Sequence, residues 1–199
     1  SAVWTNGSMV HAGTPTIAPT LRDAGYTTCL IGKMHLGGNR QFVGFEHRPY
    51  GDLTGNAGHQ SDPPHDYSGT SMRNRTTDAG VTGIPESALQ EQIICRETLA
   101  FLREHKARQP DKPWMLCASF SRPHFPLTAP QRWFEYYWPH RVTPPKVGRT
   151  GDTAQHPMTQ GMAKIFKTQA IGEEETLRAR AAYFACVSYL DELLGDLLA

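Results

Sequence analysis

Two short clusters of basic residues are the part of this 199-residue sequence best suited to chemistry. Lys33 and His35 lie in the run GKMHLG, and Arg122 and His124 lie in the run SRPHFP. Lysine and arginine can offset the charge of a tetrahedral oxyanion, and a histidine can donate a proton to a leaving oxygen. The four residues together therefore indicate a site for a tetrahedral oxyanion.

Each cluster directly follows a segment that predicts a β-strand. Tyr26–Ile31 (YTTCLI) is rich in β-branched and apolar residues, and Trp114–Phe120 (WMLCASF) is a continuous apolar run, as expected when both sheet faces are covered. The carboxyl ends of parallel strands open onto one edge, where ligands bind. Any one of these basic residues taken alone is more often a solvated or capping side chain. Their common position after two strands favours one shared crevice.

The elements around these strands are predicted to be helical. A short helix is predicted at Thr16–Ala24, closed by Gly25, and a longer one from Pro85 to about Arg108. Glu173–Leu198 has the strongest helical pattern, with acidic residues in its first turn. Its expected core face consists of Leu177, Ala181, Phe184, Val187, Leu190, Leu194 and Leu197. Gln131–Trp138 predicts a short aromatic helix, and Gly37–Gly83 and Pro139–Gly161 predict long loops.

The order of elements places a crossover helix between two strands, which predicts a right-handed βαβ unit. The expected fold class is therefore α/β, with a mainly parallel sheet flanked by helices. Two buried strands do not form a stable parallel sheet alone, and the last helix reaches Ala199 with no strand after it. We therefore expect a fold that is incomplete at both ends.

Composition excludes some classes of partner. Lys and Arg number 20 against 19 Asp and Glu, and this balance favours neither nucleic acid nor an anionic membrane. No apolar run approaches the roughly 18 residues of a membrane span. The first residues show no signal-peptide pattern, which leaves the compartment open. None of the four cysteines is spaced C-x-x-C, so we expect small buried thiols and no zinc site.

The first basic cluster lies within a longer motif. Gly25–Gly37 (GYTTCLIGKMHLG) resembles the second signature of type I, formylglycine-dependent sulfatases, roughly G-Y-x-T-x-x-x-G-K-W/M-H-x-G. Pro113–Pro130, with its core SFSRPHFP, is similar to the family's second active-site segment, and Ala181–Gly195 resembles the helix that follows it. The resemblance covers nearly the whole chain in the right order. It implies an alkaline-phosphatase-like fold, in which residues 1–199 form part of a sulfatase catalytic domain.

The resemblance also implies a role for each basic residue. Lys33 would contact the sulfate and the oxygen of the nucleophile, and His35 would hold or deprotonate the hydroxyl of the hydrated nucleophile. His124 would contact the sulfate and help to protonate the departing alcohol. Arg122 occupies a position that is often basic in the family and would help to bind substrate.

Two further details resemble one branch of the family. Met34 stands where tryptophan is commoner, and Gly44-Phe45-Glu46 follows shortly after. Both features are similar to the choline-sulfatase-like branch. They indicate a subfamily but do not identify the substrate, whose leaving group could be a sugar, choline or a phenol.

The sequence departs from the family pattern in two respects. The formylglycine precursor motif, C/S-x-P-x-R, does not occur, and the acidic residues that bind calcium are not recognisable. The resemblance therefore implies that formylglycine lies upstream of this chain and that the Ca²⁺ ligands lie outside it. We assign no metal ligand here and expect this chain alone to be inactive.

Two other readings stay open at this point. A phosphodiesterase or a phosphonate monoester hydrolase of the same superfamily would need a similar arrangement of positive charge. A catalytically inactive relative could still bind an anion. The oligomeric state is equally open, and the expected partner is a small-molecule sulfate ester.

Two more clusters, one of His and Asp residues and one of aromatic residues, could bind a ligand. His59, Asp62, His65 and Asp66 could bind a transition metal, but their setting favours a polar loop. The aromatic residues of 133–138 could line a sugar or choline pocket, but packing of a short helix on the core is favoured.

Overall fold

The computed structural model describes residues 8–34, 42–51, 76–147 and 156–199. The helices are α1 (Ile17–Asp23), α2 (Gln90–Arg108), α3 (Gln131–Tyr137), α4 (Pro157–Phe166) and α5 (Glu173–Leu198). The strands are β1 (Thr27–Gly32), β2 (Gly80–Val81), β3 (Trp114–Ser119) and β4 (Thr128–Ala129). Single 3₁₀ turns cover Glu86–Ala88 and Thr168–Ala170. None of the described helices combines the length and apolarity that a bilayer crossing requires.

The chain divides into two compact units. The first consists of Ser1–Pro64, Glu86–Ser121 and Leu193–Ala199, and the second of His65–Pro85 and Arg122–Glu192. Each unit has its own buried apolar cluster. The two are therefore described separately.

In the first unit, β1 and β3 pair in parallel. The register runs from Thr27 opposite Trp114 to Gly32 opposite Ser119, and all six residues of β1 are buried. Helix α2, which lies between the strands in sequence, packs Ile94 against Cys29 and Ile31. The predicted βαβ arrangement is confirmed, because β1 and β3 are parallel and α2 lies between them in the chain. A helical crossover is the usual way to join parallel neighbours.

A segment outside the predicted strands lies along the other edge of β1. We call Glu46–Tyr50 the flanking segment. Two of its carbonyl oxygens accept hydrogen bonds from β1: His47 O from Leu30 N (2.9 Å) and Tyr50 O from Gly32 N (3.1 Å). His47 also forms a parallel bridge with Cys29. Strand β1 is therefore an inner row, which explains why all of its residues are buried.

The second unit contains a shorter parallel pair. Gly80 lies opposite Thr128 and Val81 opposite Ala129, beside a cluster of small side chains from α5. That cluster includes Ala181, Ala182, Ala185 and Cys186, with Phe134 from α3 and the half-buried Trp133 packed against it. The aromatic residues of α3 that join this cluster serve packing, as expected.

The predicted extent of helix α5 is confirmed, but its predicted core face is only partly right: Ala181 is buried as predicted. Val187 and Leu194 were expected in the core, yet they are 42% and 41% exposed. The buried positions include Ala182, Cys186, Tyr189 and Leu193. Apolar residues occur on more than one face of this helix, so periodicity alone could not identify the buried face. The face that packs is the one whose small residues allow close contact.

The prediction of a loop at Pro139–Gly161 is wrong for its last five residues, because α4 begins at Pro157. Proline suits the first turn of a helix, where its missing N–H needs no partner. The Nδ1 atom of His156 accepts a hydrogen bond from Met158 N at 3.2 Å and caps this end. The cluster of His59, Asp62, His65 and Asp66 lies outside the described residues.

Candidate active site

Lys33 follows a sharp backbone corner at the end of β1. Gly32 has a φ of +99°, and a Cβ placed there would overlap the Ser119 carbonyl oxygen and approach Ile94 Cδ1 to 2.8 Å. Only glycine fits this position without strain. Beyond it, Lys33 N donates to Ser119 O at 3.0 Å, and the lysine side chain is half-buried. The pairing of β1 with β3 therefore fixes the backbone position from which the Lys33 side chain extends.

Arg122 lies at the start of the second unit and is buried. Its guanidinium Nε donates to the Thr128 carbonyl oxygen at 3.0 Å, across a six-residue segment that contains the second basic cluster. One of its five donors thus holds the backbone near His124. Contact of Arg122 with substrate stays a prediction.

His124 is exposed and stands edge-on to its neighbour Phe125, with ring centroids 5.1 Å apart. Its Nδ1 lies 3.1 Å from the Phe125 carbonyl oxygen. A carbonyl oxygen can only accept, so Nδ1 carries hydrogen in this contact. Nε2 is then the ring atom suited to exchange a proton with a ligand.

The structure describes three of the four predicted residues, and these three belong to two compact units. Lys33 belongs to the first unit, whereas Arg122 and His124 belong to the second and share one segment. His35 lies outside the described residues. Convergence of the two clusters on one crevice stays a prediction.

Sequence reasoning missed one charged residue close to Lys33. Arg48, in the flanking segment, is only 9% exposed, and its Nη2 donates to the carbonyl oxygen of Gly32 at 3.5 Å. The available signal was an arginine between Phe45 and Tyr50, two aromatic residues that are both buried. A charged side chain in such surroundings usually has a structural or functional task.

All four cysteines are free thiols, and burial raises the pKa of three of them. Burial, with a smaller contribution from nearby Cys117, raises the pKa of Cys29 to about 12. Burial also raises the pKa of Cys117, and burial followed by the proximity of Asp196 raises that of Cys95. The thiolate is the nucleophilic form, so these three groups are inert near neutral pH. Cys29, Cys95 and Cys186 are buried as expected, whereas Cys117 is half-buried.

Carboxylate, imidazole and thiol groups do not gather into a metal site in the described part of the chain. Within residues 8–34, 42–51, 76–147 and 156–199, no three His, Cys, Asp or Glu side chains are placed to hold a metal ion. A hard divalent cation needs several oxygen ligands. The described residues therefore do not fit a calcium ion by themselves.

Comparison with known proteins connects this geometry to one family. A family model for sulfatases matches residues 3–199. The choline-sulfatase of Rhizobium meliloti (strain 1021) is 31% identical over 215 residues, covering 98% of this chain and 40% of that protein. An arylsulfatase of Clostridium perfringens (strain 13 / Type A) is 28% identical over 207 residues, covering 92% of this chain and 42% of that protein.

A solved structure shares the fold. It is the structure of a protein in complex with its substrate, D-glucosamine-2-N,6-O-disulfate, and it superposes with a TM-score of 0.57 at 18% identity. The match covers 98% of this chain and 47% of that one, so the chain spans less than half the length of these similar proteins. The similarity confirms the expected α/β fold of the alkaline-phosphatase type.

Proposed function

The chain belongs to the sulfatase family, and on that premise we propose that the natural protein hydrolyses a small-molecule sulfate monoester to an alcohol and inorganic sulfate. The observation that carries the proposal is the position of Lys33 in the GKMH run. It follows β1 directly, at the carboxyl edge of a parallel pair, on a backbone held by Ser119. This edge is where ligands bind in open α/β sheets.

Lys33 is proposed to bind the sulfate group. Its ammonium can donate up to three hydrogen bonds, and its charge offsets that of the sulfate oxygens. Negative charge grows on the bridging oxygen as the S–O bond breaks, so a fixed cation stabilises the transition state beyond the ground state. The half-buried position of Lys33 limits screening by water.

His124 is proposed to donate the proton that the departing alcohol requires. With Nδ1 engaged by the Phe125 carbonyl oxygen, a proton on Nε2 makes the ring a cation that can act as a general acid. The alcohol oxygen takes that proton as the S–O bond breaks.

Arg122 is proposed to hold the backbone of the His124 segment through its bond to the Thr128 carbonyl oxygen and to help bind the sulfate. His35 is proposed to hold or deprotonate the hydroxyl of the nucleophile, as the family resemblance implies. The formylglycine precursor motif does not occur in this sequence, and the residues that the structure describes hold no cluster of metal ligands. We propose that other parts of the natural protein provide both.

The test is hydrolysis by the natural full-length protein, coexpressed with a formylglycine-generating enzyme. Release of 4-nitrophenol from 4-nitrophenyl sulfate is compared with its release from bis(4-nitrophenyl) phosphate, and choline sulfate is assayed by sulfate release. The Lys33→Ala and His124→Ala variants are run beside the parent. We expect preferential sulfate ester cleavage. Lys33→Ala should abolish it for both sulfate esters, whereas His124→Ala should abolish it for choline sulfate, whose alcohol needs a proton to depart.

Other outcomes separate the alternatives. Preferential phosphate diester cleavage would keep the site but move the protein to another hydrolase class. Sulfate ester cleavage that survives both substitutions would overturn the residue assignment. Tight sulfate binding without turnover of any ester would overturn the enzymatic proposal in favour of an anion-binding relative.

A further inference from the structure

The peptide bond between Gly32 and Lys33 is held at both of its polar atoms. Its N–H donates to the Ser119 carbonyl oxygen of β3 at 3.0 Å, and its C=O accepts from Arg48 Nη2 at 3.5 Å. In a trans peptide these two atoms point in opposite directions. The plane that leads into Lys33 is therefore fixed by β3 on one side and by the flanking segment on the other.

Arg48 reaches this peptide from a buried position. It is 9% exposed, and moving a guanidinium out of water is expensive unless its charge and donors are used. Arginine stays charged at all physiological pH values. A purely apolar side chain would fill the same space without that penalty, so a buried arginine needs polar contacts, and the bond to the Gly32 carbonyl oxygen is one of them.

The segment that carries Arg48 is itself anchored on either side of it. Before Arg48, the Glu46 carboxylate accepts from Thr28 N at 3.0 Å, and Glu46 N donates to Thr28 Oγ1 at 3.1 Å. After it, the Tyr50 carbonyl oxygen accepts from Gly32 N at 3.1 Å. The guanidinium is therefore delivered from a fixed backbone, as a positioning contact requires.

We propose that Arg48 is a positioning residue for Lys33. Glycine at Gly32 allows the sharp corner, with φ at +99°, but it also leaves the backbone freer to rotate than any other residue would. The hold of Arg48 on the Gly32 carbonyl opposes that rotation and fixes the direction in which Lys33 leaves the strand. A misplacement of about 1 Å can cost as much as ~10²-fold in rate.

The competing explanation is that Arg48 only stabilises the first unit. In that case substitution of Arg48 would reduce the amount of folded protein, and its effect on activity would be the same whether or not Lys33 is present. Activity with and without Lys33 therefore distinguishes the two. This part of the inference rests on the proposed function, because it needs a reaction in which Lys33 takes part.

The experiment is a double-mutant cycle in the natural full-length protein, with kcat and KM for 4-nitrophenyl sulfate normalised to folded protein. The variants are Arg48→Met and Arg48→Lys, each alone and combined with Lys33→Ala. Arg108→Met is the matched control, because Arg108 on α2 is exposed and pairs with Glu104 on its own helix (2.8 Å).

We expect Arg48→Met to lower kcat/KM by roughly ten- to a hundredfold when Lys33 is present, and less than about threefold when it is absent. Arg48→Lys should restore part of the loss, because an ammonium can also donate to the Gly32 carbonyl. Arg108→Met should be silent. An equal loss in both backgrounds overturns the proposal.

A second readout does not depend on turnover. Amide hydrogen exchange of Lys33 is measured in the parent protein and in both Arg48 variants. Arg48→Met should accelerate exchange at Lys33 by about tenfold or more, while Leu30, bonded to His47 O at 2.9 Å in the same strand, keeps its protection. Unchanged exchange at Lys33, or equal acceleration at Leu30, contradicts the proposal. If the parent cleaves no sulfate ester, the proposed function fails while this measurement still decides the role of Arg48.

Discussion

The backbone amide of Lys33 lies 3.0 Å from the carbonyl oxygen of Ser119, to which it donates a hydrogen bond. The parallel pairing of β1 and β3 therefore extends one residue beyond β1, to the residue that carries the proposed sulfate contact. This hydrogen bond fixes the backbone of the residue that is proposed to bind sulfate.

Lys33→Ala should reduce kcat/KM for an aryl sulfate by about 10²–10³-fold, the usual effect of removing one preorganised donor to developing charge. Steady-state kinetics of the full-length protein measure this. Lys106→Ala, on the exposed face of α2 in the same unit, is the matched control and should leave kcat/KM unchanged. A loss of similar size in the control would point to a general effect of charge.

The effect of His124→Ala should depend on the leaving group. A 4-nitrophenolate leaves with little help from a proton, so its sulfate ester should lose less than about tenfold in kcat, whereas an alkyl sulfate should lose about 10²-fold or more. Parallel assays with both substrates measure the difference. His140→Ala, exposed just after α3, is the control, and an equal loss on both substrates would exclude proton donation by His124.

Gly32→Ala should destabilise the protein more than Gly25→Ala. Both glycines have positive φ, +99° and +95°, but a Cβ at Gly25 meets no atom within 4 Å, whereas one at Gly32 overlaps the Ser119 carbonyl oxygen. We expect a loss of about 1 kcal/mol for Gly25→Ala from backbone strain alone and about 2 kcal/mol more for Gly32→Ala. Urea unfolding measures both, and equal losses would contradict the described corner.

Cys29 should resist alkylation at pH 8 in the folded protein. Its pKa is raised from 9.0 to about 12, chiefly by burial, so the thiol keeps its proton. Iodoacetamide labelling with peptide mass analysis should modify the half-buried Cys117 before Cys29. Prior labelling of Cys29 would show that β1 is more accessible than described.

The same raised pKa gives stability a pH dependence with a definite sign. The folded state binds the Cys29 proton more tightly than the unfolded state, so the contribution is complete below about pH 9 and is lost as pH rises towards about 12. Cys29→Ala should flatten the alkaline decline in the free energy of unfolding. An unchanged decline in this variant would assign it to other groups.

The sequence predicted the elements with strong local patterns. YTTCLI and WMLCASF were identified as strands because both are apolar or β-branched runs bounded by glycine or proline, and both are confirmed within two residues. The pair β2 and β4 has only two residues in each strand, too few for any periodicity to appear. The flanking segment was assigned to a loop because the whole of Gly37–Gly83 is rich in small and polar residues and has few large apolar ones. Long-range pairing with β1 nevertheless orders Glu46–Tyr50.

The candidate site was predicted to a similar degree. Lys33 and His124 were proposed because each follows a predicted strand in a recognisable run. The family is confirmed, whereas the roles of these residues stay predictions. Arg48 was missed because its task depends on a carbonyl sixteen positions earlier in the chain, which no local pattern reveals. Sequence spacing identifies groups that can react, whereas the residues that orient them are selected by tertiary contacts.

The flanking segment also bears on aggregation. Strand β1 is six consecutive buried residues without a charge, and its first five are β-branched or apolar, the kind of run that forms cross-β structure when its edges are open. In the native state β3 occupies one edge and the flanking segment covers the other. Glu46 and Arg48 therefore act as charged gatekeepers on an otherwise adhesive strand, and a variant that releases this segment should form thioflavin-positive fibrils before it loses its helices.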